Sequence, residues 1–581
     1  MPTLAPPRPP ARRWIFPDAP DTAAVDRLAG DLRLPPPLCR LLAQRGYGES
    51  AAAREFLRPH PGQIHPPHLL AGVADAVARL RRAITAGETV LVHGDYDVDG
   101  ICSTALFTRA LRAMGGRAVP FVPHRIEDGY DLSDAGIRAA AAAGATLILT
   151  GDCGIVAHDA VLRARRAGID VVVTDHHTPG ATLPDCVAVV NPNRADCGYP
   201  DKGLAGVGVA YKVCCALAAE IGYPQERLHV FLDLVAVATI ADLAPLSGEN
   251  RALVRWGLKV LPQTPNPGLR ALIRGCGLAD RGEITASQVG YVLAPRINAV
   301  GRMSEALRGV DLLLTDDAAE AAEIAALLET ENRTRQAVDG QTLGEVMRTL
   351  DRVYDPDRDW GVVLASDGWH PGVIGIVASR VVERIHRPTV LIALDAAGEG
   401  KGSARSIRGF HLYEAMRDCA DHLARFGGHR YAAGCTILRD RVDGFRAAFN
   451  ARARAVLTED DLVPEVRIDL ELRLPEAGDE LFRMLRHAGP FGMGNPTPVF
   501  AARGVGVAGS PRLVGQNHLK MTLSSGGASL DAIGFGMGDR LGEPGFSRGP
   551  MDVAFKLEEN TWNGRSRLQA KLVDLRPSTD S

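Results

Sequence analysis

The chain has 581 residues, 46% of them hydrophobic and 23% charged, with a net charge of −3. That length exceeds one ordinary core and suggests about three or four domains of a globular protein. The charge excludes a surface coated in basic residues, although a local basic groove would still suit nucleic acid. No apolar run is long enough to span a bilayer. The N-terminus, MPTLAPPRPPARRW, is rich in Pro and Arg and lacks the apolar core of a secretory signal. It reads as a flexible tail running into a docked segment, with residues 1–75 standing apart from the first domain. The ten cysteines are scattered and form no CxxC. This pattern fits reduced thiols in a cytoplasm, not a disulfide frame or a zinc site.

From about residue 75 helical and extended patterns alternate. ADAVARLRRAITAG is helical, TVLVHGDYD a buried strand, ICSTALFTRALRAMGG a helix with a glycine stop, and RAVPFVP a short strand. SDAGIRAAAAAG is a helix with Ser133 as its cap, and ATLILTGDCG a strand. VAHDAVLRARRAG is a helix and IDVVVTDHH a further strand. Apolar strands between helices of this length imply a parallel sheet covered on both faces. Two apolar helices follow, AGVGVAYKVCCALAAEIG and RLHVFLDLVAVATIAD. Residues 316–350 read as one long polar helix of the kind that bridges domains. A smaller mixed region spans 351–455, with the strand WGVVLAS, the helix GVIGIVASRVVERI and the strand TVLIALD. From 462 to 576 the pattern alternates with period two among Gly-rich turns, as in a small barrel.

The polar residues gather at strand ends. Asp95, Asp97 and Asp99 follow the first strand, Asp152 ends another, and Asp175, His176 and His177 end a third. Asp242 ends an apolar helix. In a parallel sheet these are the carboxyl ends, where ligands collect. A solvated turn whose aspartates cap the next helix would account for one such site. Three apolar strands ending in acid or His require a cation, because buried like charges repel. Carboxylates with imidazoles and no thiolate suit two divalent ions of manganese or magnesium type, and such a pair serves phosphoester hydrolysis. Cys153, inside the second motif, reads as a small packing residue.

The segments HGDYDVDG, GDCG, TDHH and ATIADLAPL resemble, in order, the motifs of the DHH phosphoesterase superfamily. PRINAVGRM, WHPGVIGIVASR, GSARSIRGFHL, FGGHRYAAG and GPFGMGNPTPVF make the resemblance specific to its RecJ branch, the bacterial single-strand exonucleases. The resemblance implies an α/β fold with a parallel-sheet DHH domain over 76–315, a linker helix and a smaller α/β DHH-associated domain. A C-terminal OB-like β-barrel completes it. It implies metal ligands at His93, Asp97, Asp99, Asp152, His176 and Asp242, with Asp152 bridging. Asp95 is either a ligand or a base beside the metals. Asp175 is expected to orient His176. His177 is expected to face the scissile phosphate, stabilising charge or protonating the leaving oxygen; the plainer reading is a structural histidine.

Lys401, Arg405, Ser406 and Arg408, with Gly427, Gly428 and His429, supply small residues and guanidiniums suited to a phosphate. By the same resemblance they hold the 5′ end across a crevice from the metals, giving 5′-to-3′ polarity, with Arg302 reaching in from the first domain. Phe491, Lys520, Trp562 and Arg565 are candidate single-strand contacts of the barrel, although an aromatic in a small barrel is more often core. Single-stranded DNA is the implied partner, and repair and recombination with a helicase and a single-strand-binding protein the implied setting. A cytoplasmic monomer is expected. Some relatives carry a further C-terminal domain; the chain ends just after the barrel, so docking through such an extension is expected to be absent. Two other readings remain: a DHH enzyme acting on short oligonucleotides, cyclic dinucleotides or pyrophosphate, and a non-catalytic single-strand-binding replication scaffold.

Overall fold

The computed structural model describes residues 12–578 except 126, 130, 304, 543–548 and 563–564, and the side chains of 561, 562 and 565. Two compact units emerge. One takes in Ala19–Asn332 with Glu476–Pro498. The other takes in Arg333–Pro475 and the region from Val499, together with the strand Arg13–Ile15.

The first unit is built on five parallel strands: β1 (Thr89–Gly94), β2 (Arg117–Phe121), β3 (Ala145–Gly151), β4 (Asp170–Thr174) and β5 (Ala188–Val190). Their order is β2-β1-β3-β4-β5, and every pairing is parallel. The order reverses between β1 and β3, the switch point at which such sheets open a crevice beyond their carboxyl ends. Strands β3 and β4 are buried over most of their length, which is why they read as continuous apolar runs. Four helices of this unit bring residues to the strand ends: α1 (Val98–Ala113), α2 (Gly206–Ile221), α3 (Leu232–Ala241) and α4 (Ala294–Met303). The first three are buried along most of their length in one core shared with Val92, Leu147 and Leu149 of the sheet. Ser133 occupies the N-cap of the helix Asp134–Ala142 but makes no capping hydrogen bond, so only its position matches the expectation.

The long polar helix is α5 (Ala318–Val353), about 54 Å at the usual rise. Its first half contributes Ala325 and Leu328 to the first unit's core, and its second half contributes Val346 and Leu350 to a core of the other unit. The polar residues between them are not all solvated: Asp339 is buried and meets Arg380 at 3.0 Å.

The second unit holds a mixed sheet: β6 (Val362–Ser366), β7 (Thr389–Leu394), β8 (Glu399–Arg405), β9 (Arg425–Gly428) and β10 (Ala432–Leu438), in the order β9-β10-β8-β7-β6. Helix α6 (Ile374–Ile385) packs its apolar side on this sheet. Strands β11 (Phe500–Val514), β12 (His518–Ser525), β13 (Ala528–Gly534), β14 (Met551–Trp562) and β15 (Arg565–Pro577) form a barrel that the β11–β14 pairing closes. Trp14 donates its indole N–H to Asp574 at 2.8 Å, and its strand pairs with Glu465–Arg467, so the expected docked segment is present. The first eleven residues of the tail lie outside the described residues.

The region after residue 462 is not barrel alone. Helix α7 (Asp479–Ala488) interrupts it, with Leu481, Leu485 and Ala488 buried at helical spacing. This helix and the GPFGMGNPTP segment belong to the first unit. Buried Arg251 holds them there, donating to the carbonyls of Ala488 (3.0 Å) and Gly489 (2.7 Å) as well as Phe56 (2.9 Å). Asn495 donates to Ala488 and Pro490 carbonyls, and Arg45 to Asn495 Oδ1.

Candidate metal centre

Strand β1 ends at Gly94 and α1 begins at Val98, so the three aspartates of DYDVD lie on a tight turn and not along an extended strand. Asp97 does cap α1: its Oδ1 accepts from the N–H groups of Asp99 (2.9 Å) and Gly100 (3.1 Å). Capping and ion binding are therefore compatible here, since one carboxylate has several lone pairs. Asp99 faces the N-terminus of α2 and accepts from Gly206 (2.7 Å) and Val207 (2.8 Å). A Cβ on Gly206 would fall 2.6 Å from Cβ of Asp152, so only glycine lets α2 come this close. Asp152 itself adopts φ +67, a left-handed conformation that Asp tolerates better than most residues.

Three groupings could hold an ion, each with ligand atoms within 4.8 Å of one another: Asp95, Asp97 and Asp152; Asp99, His176 and Asp242; and Asp152, His176 and His177. Around His176 Nε2, Asp152 Oδ1 lies at 3.1 Å, Asp242 Oδ2 at 3.8 Å and Asp99 Oδ2 at 3.9 Å. Asp95 Oδ1, Asp152 Oδ1 and His176 Nε2 are buried and lack a hydrogen-bond partner among the described residues. Orphaned acceptors crowded in this way are costly unless a cation satisfies them. Burial, then repulsion from neighbouring aspartates, pushes Asp95 and Asp152 well above the usual carboxylate range, Asp99 to about 7 and Asp242 to about 8. Burial, then the charge of His177, lowers His176 to about 4 and keeps it the neutral base that a ligand must be. The donor set of carboxylates and one imidazole, without thiolate, fits two hard or borderline divalent ions.

The histidines divide the work differently from the expectation. Asp175 Oδ1 accepts from the backbone N–H of both histidines and sits 2.8 Å from Nδ1 of His177, so it orients His177 and not the ring of His176. Its Oδ2 accepts from Ile155 N–H at 3.0 Å. Burial opposes a charge on His177, but the hydrogen bond and charge of Asp175 win and raise it to about 9. His93 stands in none of the three groupings. It is fully buried within β1, its Nδ1 is 3.6 Å from Cys153 Sγ, and its ring packs on Phe121 at 5.1 Å. Burial lowers it to about 4. Asp95 stands in one of the groupings and His93 in none, although His93 Nε2 is itself buried without a hydrogen-bond partner among the described residues. Cys153 is buried, and burial raises its thiol, as suits a packing residue.

Several further residues support the site. Asn191 and Asn193 donate to the carbonyls of His177 (2.9 Å) and His176 (2.6 Å) and fix the histidine turn. Asn298 of α4 accepts the N–H of Val98 at 3.1 Å, and a Cβ on Gly301 would meet the Tyr96 carbonyl oxygen at 2.1 Å. Helix α4 thus closes directly on the aspartate turn, and Arg302 acts electrostatically on Tyr96. Arg125 lies over the Tyr96 ring at 4.6 Å. The NPN pair was readable as an Asx turn after β5; the Asn298 contact spans 200 residues and has no local signal.

In the second unit Arg405 closes β8 and donates to Ser403 Oγ (3.2 Å) and the Ala404 carbonyl (2.8 Å). A Cβ on Gly375 would stand 3.0 Å from its Nη2, so the guanidinium lies on the first turn of α6. Ser406 spends its hydroxyl proton on the Phe410 carbonyl at 2.8 Å, and Arg408 pairs with Glu465 at 3.2 Å. Lys401 lies 3.3 Å from Glu399, and Gly427, Gly428 and His429 are exposed at the β9 end. Lys520 in β12 donates to Gln569 at 2.5 Å within the barrel. Phe491 is not a barrel residue, since it lies in the segment held by the first unit. The side chains of Trp562 and Arg565 lie outside the described residues.

Residues 89–239 match the DHH family, N-terminal domain; 360–455 match the DHHA1 domain; and 468–574 match the RecJ OB domain. Over 94% of its length the chain is 40% identical to the single-stranded-DNA-specific exonuclease RecJ of Dickeya dadantii, covering 96% of that protein. It is 38% identical over 97% of its length to the Bacillus subtilis protein of the same description, covering 70% of it. Among solved structures, RecJ of Thermus thermophilus in complex with Mn2+ superposes with a TM-score of 0.82 at 35% identity, over 97% of this chain and 79% of that one. The same protein has been solved with Mg2+. Identity of 40% over nearly the whole of both this chain and the Dickeya protein, with all three domain types in one sequence, leaves one conclusion: this chain belongs to the RecJ family.

Proposed function

We propose that the chain is a single-stranded-DNA-specific exonuclease. It hydrolyses phosphodiester bonds from the 5′ end with two divalent ions, manganese or magnesium, in DNA repair and recombination. The observation that carries this reading is the cluster of buried, orphaned acid and imidazole atoms at the switch point of the sheet, in a chain whose relatives bear that description. Asp95 and Asp97 would hold one ion, Asp99, His176 and Asp242 the other, and Asp152 would be shared between them. Such ions, when bound, polarise a phosphoryl oxygen and neutralise developing charge. The chain's own groups do the rest. Asp175 keeps His177 protonated and aimed, and the imidazolium stabilises charge on the phosphoryl group or hands its proton to the leaving oxygen.

The remaining assignments follow the domain order. Residues 76–315 carry the chemistry, 316–350 the linker, 351–455 the grip on the strand end, and 462–576 the contact with the strand beyond it. Arg302 and Arg405 lead the phosphate contacts, followed by His429 and Lys520. Ser406 and Arg408 complete the set. No helix of the described residues is long and apolar enough to cross a membrane. The enzyme acts as a cytoplasmic monomer on strands opened by a helicase and coated by a single-strand-binding protein.

The test is digestion of end-labelled single and double strands with and without manganese. Mononucleotides released progressively from the 5′ end of single strands alone are expected. Activity confined to dinucleotides would favour the short-oligonucleotide enzyme. Binding without metal-dependent turnover would favour the scaffold.

A further inference from the structure

Helix α3 ends immediately at the metal centre, and it ends in an unusual way. Leu243 donates its N–H to Ile240 and Ala244 donates to Thr239, the paired bonds of a Schellman close. The residue between them must be left-handed, and Leu243 has φ +60. Among the described residues, five other helices of this unit close with the same two bonds, and each places glycine there: Gly46, Gly87, Gly115, Gly168 and Gly277; the helix Thr22–Leu32 ends on left-handed Arg33, but with a single bond to Ala29. Glycine is the unstrained choice, since an L side chain in this conformation crowds the following carbonyl. The leucine gains nothing by packing, because it is 64% exposed. Nor is the turn loose. Leu246 donates its N–H to the Met493 carbonyl at 2.7 Å, and Gly494 packs on Pro245. A strained, rigidly held, exposed leucine thus directly follows Asp242, a carboxylate of the metal centre.

An outlier of this kind at a reacting site points to a use for the side chain. A leucine cannot bind phosphate. What flanks every phosphate of a single strand is a nucleobase, whose apolar face suits an isobutyl group. We infer that Leu243 is a specificity-determining contact, meeting the base beside the phosphate being cut. The inference rests on the exonuclease reading above and adds to it a requirement for a base at that place. Strands whose bases are paired and stacked cannot offer that face.

The experiment compares a 5′-phosphorylated single strand with the same strand carrying a run of abasic sites at its 5′ end. Leu243→Gly and Leu243→Asn both suit the left-handed turn, so their thermal midpoints should equal or exceed that of the parent protein. On the ordinary strand each should lose about fivefold to tenfold in kcat/KM, the scale of one apolar contact on an open face. On the abasic strand each should match the parent. Leu243→Met, apolar but still strained, should restore the rate on the ordinary strand. An equal loss on both strands, or a clear fall in thermal midpoint for the glycine and asparagine variants, would overturn the inference. Failure of the parent protein to degrade either strand would overturn the exonuclease reading, and this inference with it.

Discussion

Replacing Asp175 by Asn tests how the histidine pair is set. In the parent protein Asp175 takes hydrogen bonds from two backbone N–H groups of the histidine turn, from Ile155 N–H and from the His177 ring. With its oxygen on the histidine side, the neutral amide keeps the bonds to the histidine turn, gives up the Ile155 bond where its NH2 would meet an N–H, and removes the charge that raises His177 to about 9. Burial then acts with less opposition, and the imidazole returns to its ordinary 6.5 or below. The protonated fraction at pH 8 would fall from about 0.9 to about 0.03, a loss of roughly thirtyfold. The side chain is 35% exposed, and solvent screening trims that loss to roughly tenfold. Bound cations lower the histidine in both proteins alike, so the displacement between the two profiles is the test, not the absolute position of either. The assay is single-turnover cleavage of a labelled strand from about pH 6 to about pH 10 at saturating manganese, with metal content measured in parallel. The alkaline limb should move down by about one to two pH units in the variant while metal content is retained. An unmoved limb with a uniformly lower rate would refute the acid role of His177 and leave Asp175 a structural residue.

Three further outcomes are expected. Asp152→Ala should abolish cleavage and lower manganese content while single-strand binding stays within about a few-fold, because affinity comes mostly from phosphate contacts elsewhere; substantial cleavage at saturating manganese would contradict its shared position. The metal-free protein should lose thermal stability as pH rises. Asp99 (about 7) and Asp242 (about 8) have folded-state values raised by burial above the unfolded one, so their contribution is present at low pH and lost as pH passes those values. Manganese should therefore raise the thermal midpoint more at about pH 8 than at about pH 6, and equal gains would refute the assignment of these carboxylates. Arg405→Ala should cost more on 5′-phosphorylated than on 5′-hydroxyl single strands, since a bidentate guanidinium reads the extra terminal charge; equal losses in initial rate would make it a general backbone contact.

Features written in local pattern were legible from the sequence. Three strands of the first sheet, β1, β3 and β4, are apolar runs followed by Asp or His, and their parallel pairing follows from the helices between them. What escaped was of two kinds. Helix α7 carries leucines four apart, a signal present in DELFRMLRHA but outweighed by the alternating strands on either side. Its membership of the first unit had no local signal at all, because it depends on Arg251 and Arg45, more than 200 residues away.

The different placement of His93 and Asp95 has the same physical origin. Spacing along the chain puts both residues within reach of a metal, and an extended backbone would place His93, Asp95, Asp97 and Asp99 on one side. The backbone is not extended past Gly94. The chain turns there because Asp97 caps α1, and that turn carries the aspartates toward β3 and α2 while His93 stays inside β1 against Phe121. One capping carboxylate therefore decides which side chains gather in the ligand groupings. The same turn is braced from outside by Asn298 on the Val98 N–H and by the close approach of Gly301. The PRINAVGRM motif thus braces the candidate metal centre through the backbone of the DYDVD turn.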